Sequence, residues 1–73
     1  MTPTNHSAIV LESLRLHVEN RDGDWGDVYL DNARPSGMSE TAFRAVLAAL
    51  SRKGLYKPID GYAWGRVQLG EAP

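Results

Sequence analysis

The chain has no cysteine, which excludes a disulfide scaffold, a thiolate zinc site and a cysteine nucleophile together, and sets the expectation of a reducing, cytoplasmic setting. Histidine is nearly as scarce. His6 falls in a Thr/Pro/Asn-rich opening and His17 borders an apolar helical stripe, so neither a metal pair nor a catalytic dyad is expected. Asp22, Asp24 and Asp27 lack the ligand spacing and terminal glutamate of an EF-hand loop, and read as a solvated turn. A phosphate-binding glycine loop with its lysine and a serine nucleophile elbow are also missing. The expectation is a protein without catalytic residues, metal or cofactor. Apolar runs such as Ala45–Leu50 fall far short of the roughly 20 residues a membrane span requires. The opening residues have neither the basic start nor the apolar core of a signal peptide, so a soluble chain is expected.

What remains is 73 residues, 42% hydrophobic and 23% charged. That is material for one small domain, whose limited burial leaves it marginally stable and able to gain from a dimer or partner. Residues 1–6 read as a flexible arm, 7–69 as the domain and 70–73 as a short tail. The net charge of −1 is far from the basic balance of most strongly DNA-binding domains. It conceals a segregation: residues 1–33 carry two basic and six acidic side chains, and residues 34–66 six basic and two acidic.

Val10, Leu11, Leu14 and Val18 recur at helical spacing from near Ser7. Ile9 and Leu16 fall on the opposite side, which fits either a helix sandwiched in the fold or one carrying a dimer or partner contact. Residues 20–27 are rich in Asp and Gly and disfavour a regular element, with Trp25 read as a plug over the end of the core. Asp27 could cap a short helix reaching Arg34, or Val28, Tyr29 and Leu30 could form a strand. Ser39 is a good N-cap for a helix over 40–53 that buries Phe43, Val46, Leu47 and Leu50 and stops at Gly54. Beyond it, Asp60 and Gly61 have the chemistry of a two-residue hairpin turn. That register sets Ile59 against Tyr62, Lys57 against Trp64 and Tyr56 against Gly65, with Lys57 close enough to Trp64 for a cation–π contact.

Ala33, Gly37, Met38, Phe43 and Val46 resemble the small, glycine and apolar positions of a helix-turn-helix. The stretch Val46–Tyr56 resembles a recognition helix running into a wing strand. Over Ser7–Leu69 the chain thus resembles the winged helix-turn-helix family. The resemblance implies an α+β fold of two to three helices followed by a C-terminal two-stranded hairpin wing, and a long helix that enters the major groove of double-stranded DNA. Carried over, the reading face is Ser39, Thr41, Arg44, Ala45, Ala48 and Arg52. Arg44 would read guanine, Ser39 and Thr41 would meet phosphate, and the alanines would permit close approach. Lys57 and Arg66 would serve from the wing. The expected role is a regulator of transcription or replication acting on DNA, as a homodimer. The alternative is a protein-binding adaptor, such as a small phage or mobile-element inhibitor, using the low charge and Ile9 and Leu16.

Overall fold

A computed structural model describes residues 6–60 and 63–70. Helix α1 (His6–Leu16) is followed by strands β1 (Val18–Asp22) and β2 (Trp25–Tyr29). Helices α2 (Leu30–Ala33) and α3 (Glu40–Arg52) come next, then β3 (Tyr56–Asp60) and β4 (Trp64–Gln68). The strands form one antiparallel sheet in the order β1-β2-β4-β3. The α+β class expected from the sequence therefore holds, with three helices but four strands rather than two.

The additional hairpin occupies the stretch expected to be an irregular turn. Gly23 takes φ +65° at the first of two turn positions, and Asp22 pairs with Trp25, the arrangement of a Gly-X hairpin turn matched to strand twist. The glycine and aspartates thus join two strands instead of preventing them. β1 escapes a period-two reading because four of its five residues are exposed and polar. Asp27, a candidate helix cap, lies inside β2. Both alternatives for 28–34 are realised in part: the strand runs to Tyr29, and one helical turn occupies Leu30–Ala33.

The turn from α2 to α3 is closed by Met38 N–H donating to the Pro35 carbonyl at 3.1 Å, with Gly37 at φ +86° supplying the third position of a type II turn. α3 begins on the expected residue and ends at Arg52, one residue before the expected end, with Lys53 as its C-cap. Ser39 Oγ accepts from Ala42 N–H at 3.1 Å. At the other end Gly54 N–H reaches Ser51 O and Leu55 N–H reaches Leu50 O, both at 3.0 Å, the paired bonds of a Schellman motif.

The second hairpin has a different register from the one expected. Tyr56 pairs with Val67, Lys57 with Arg66 and Pro58 with Gly65, and an irregularity between Pro58 and Asp60 brings Asp60 opposite Trp64. The pair nearest the turn, Asp60 with Trp64, already leaves three residues between the strands instead of the expected two, and after the irregularity every later pair stands two residues from its expected place. Gly61 and Tyr62, residues 1–5 of the expected arm and residues 71–73 of the tail lie outside the described residues. His6, counted in the arm, opens α1.

One face of the sheet is buried under the helices. Val28, Tyr56 and Val67 join Val10, Leu14, Phe43, Leu47 and Leu50 in a single core. Ser13 Oγ donates to Ala33 O at 2.6 Å and Arg15 Nε to Gln68 O at 2.9 Å, fastening α1 to α2 and β4. The central strands repeat one pattern, Trp25-Gly26-Asp27-Val28 and Trp64-Gly65-Arg66-Val67. They run antiparallel, with Asp27 opposite Arg66 at the middle. On the buried face each glycine leaves a slot for an edge-strand side chain. A β-carbon at Gly26 would stand 2.6 Å from Val18 Cγ1, and one at Gly65 would collide with the Tyr56 ring and hydroxyl.

Candidate functional site

Phe43, Leu47 and Leu50 turn one side of α3 into the core, which fixes the opposite side toward solvent. Thr41, Ala45, Ala48 and Arg52 are exposed along it, on a helix of 13 residues about 20 Å long. Lys53 is exposed at its C-terminal end, and Arg34 is exposed before the turn. The surface carries small side chains along its middle and cations at both ends.

Two of the expected contact residues have partners within the chain. Ser39 Oγ is the cap of α3. Arg44 donates from Nε and Nη2 to Glu40 Oε2 at 3.0 and 2.5 Å, an i,i+4 pair on an exposed face. The hydrogen bond from Arg44, together with its charge, holds the Glu40 carboxyl below its ordinary value. Glu40 was missed in the sequence, although the four-residue spacing to a cation is its readable signal.

Lys57 and Arg66 do not join this helix surface. Both alternate with core residues and so point from the sheet face remote from the helices. Lys57 Nζ lies 4.6 Å from the centroid of the Trp25 ring, not over Trp64, because the register differs from the expected one. Trp64 instead packs against Tyr29, with ring centroids 5.3 Å apart. Arg66 Nε bonds Asp27 Oδ1 at 3.0 Å, with both side chains partly exposed. The eight expected DNA contacts therefore divide between two opposite surfaces.

α1 carries the other candidate contacts. Ile9 is 44% exposed and Leu16 74% exposed, whereas Val10 and Leu14 are buried. Ile9 borders a shallow, mostly apolar depression with Pro35, Met38 and Ala42. Among the described residues no group of three or more His, Cys, Asp or Glu could hold a metal, and no helix is long and apolar enough to cross a membrane. No family model, curated protein or solved structure matches the chain.

Proposed function

We propose that the protein is a small winged helix-turn-helix DNA-binding protein that inserts α3 into the major groove and acts as a transcriptional or replication regulator. The observation that carries this reading is the exposed side of α3, where Thr41, Ala45, Ala48 and Arg52 offer close approach without a bulky obstruction. Its cationic ends, Arg34 before and Arg52 and Lys53 after, are placed to neutralise phosphates. The chain order also supports it: β2, α2, the Gly37 turn, α3 and the β3–β4 hairpin follow in sequence, with β2 paired to β4. In this reading β1 is an addition to the winged-helix plan at the sheet edge.

Arg44 reads a base only after leaving Glu40. The carboxylate thus restrains binding, both by holding the guanidinium and by placing negative charge where phosphate approaches. Anisotropy of labelled random duplex DNA at two salt concentrations is the test. Glu40→Gln should tighten binding, Arg44→Ala should weaken it, and neutralising three or four phosphates gives a log–log salt slope of about −2.7 to −3.6. Absence of salt-sensitive binding at low salt would overturn the reading.

The second reading, a protein-binding adaptor, is favoured by the exposure of Leu16 and by that of Ile9, which borders the depression at Met38. Leu16→Glu would then abolish capture of a protein target while Arg44→Ala leaves it intact.

A further inference from the structure

Among the described residues no element covers the sheet face turned away from the helices, and that face has an internal charge order. Trp25, Asp27 and Tyr29 from β2 and Trp64 and Arg66 from β4 occupy its centre, each partly buried by its neighbours. Lys57 stands on the β3 edge, and Asn20 and Asp22 pair with β2 from the β1 edge. Aromatic area on central strands with no covering layer is a composition that favours burial in an interface. Its charges cancel, Asp22 and Asp27 against Lys57 and Arg66, so the face has no net pull on a polyanion.

The arrangement of those charges points to the occupant. Across the sheet, Tyr29 is level with Trp64, Asp27 with Arg66, and Trp25 with Gln68. A twofold axis parallel to the strands, between β2 and β4, lays the same face of a second copy on this one with every level preserved and the strand order reversed. Tyr29 then meets the copy's Trp64, Asp27 meets its Arg66, and the copy's Lys57 comes over Asn20 on the β1 edge, two residues from Asp22. Lys57 already leans over Trp25, the level at which Asp22 pairs. An axis across the strands would instead put Asp27 on Asp27 and Lys57 on Lys57. We propose that this face is a homodimer interface, closed as an aligned two-sheet sandwich about 10 Å between layers around the axis that matches opposite charges. The surface is separate from α1 and from the exposed side of α3.

Sedimentation equilibrium of the full chain, of Lys57→Glu, of Asp22→Lys and of an equimolar mixture of the two variants tests the proposal. The wild-type protein should dimerise, and each variant alone should dimerise at least about tenfold more weakly, because like charges then meet at both edges. The mixture should recover wild-type affinity, since the carboxylate introduced on β3 of one chain meets the ammonium introduced on β1 of the other, while the native pair forms at the opposite edge. Recovery on mixing also separates a lost contact from a lost fold. A wild-type protein that stays monomeric up to about 1 mM would overturn the proposal. So would variants that dimerise as well as wild type, or a mixture no tighter than its components. A dimer abolished by Leu16→Glu and indifferent to both charge reversals would move the interface to α1. Quenching of Trp25 and Trp64 by a single-stranded oligonucleotide, with no dimer, would give the face to nucleic acid instead.

Discussion

Gly65 shows how one missing methyl shapes this domain. Tyr56 is a buried side chain on an edge strand, and it reaches the core by lying over Gly65 on the neighbouring strand. Gly65→Ala should cost about 1–3 kcal/mol in urea unfolding, the usual penalty for overpacking a filled core. A loss below about 0.5 kcal/mol would mean that Tyr56 moves aside freely. Burial raises the Tyr56 hydroxyl above its ordinary 10.0, with the Arg44 charge opposing. The folded state then keeps a proton that the unfolded chain releases. The contribution of this group is full below the unfolded value and is lost as pH rises through the folded one. Wild type should therefore lose stability with alkali more steeply than Tyr56→Phe when melts are compared on either side of pH 10.0.

At the scale of elements, legibility followed the chemistry of termini. Ser39 and Gly54 marked both ends of α3 because a cap and a left-handed glycine meet backbone needs that do not depend on the rest of the fold. Phe43, Leu47 and Leu50 likewise announced its buried side. β1 was illegible because its Glu, Asn, Arg and Asp are exposed, so pairing with β2, not burial, makes it a strand. α2 is four residues long with no side-chain cap, too short for periodicity to register. The register of the β3–β4 hairpin was misread because Asp60 pairs with Trp64, three residues on and not two, and an irregularity near Pro58 follows. Of the candidate site, the exposed side of α3 could be read from helical spacing. The partner of Arg66 could not be placed until the β2–β4 register was known, whereas Glu40 beside Arg44 was readable from its four-residue spacing. The Trp-Gly-x-Val recurrence was present in the sequence, and it acquires meaning only when the two copies are found side by side.

For the whole molecule, the charge segregation along the chain becomes segregation in space. The acidic first hairpin forms one side of the sheet, while α3 and Lys57 lie toward the other. A net charge of −1 therefore understates how strongly one end can attract an anion, and salt should act on binding more than on folding. If the sheet faces pair and α3 binds DNA, the two α3 helices point away from each other. One dimer would then bridge two duplex segments instead of clasping one.

The seam between β2 and β4 also governs how the chain reaches this structure. It joins residues 39 apart, as the Asp27–Arg66 bond records, whereas each flanking hairpin closes locally. Loop-closure entropy makes that distant union the slow event, and α2 and α3, which lie between these strands in the chain, must be gathered before it can occur. An isolated hairpin is only marginally stable, so β1, polar and on the rim, is held firmly against β2 only once that seam has formed. Val67→Ala should accordingly slow refolding in stopped-flow experiments, while Val18→Ala should mainly hasten unfolding. Comparable slowing of refolding by both substitutions would place the first hairpin in the nucleus. Temporal order thus reverses chain order: the segment between α1 and β2 is synthesised early and settles last.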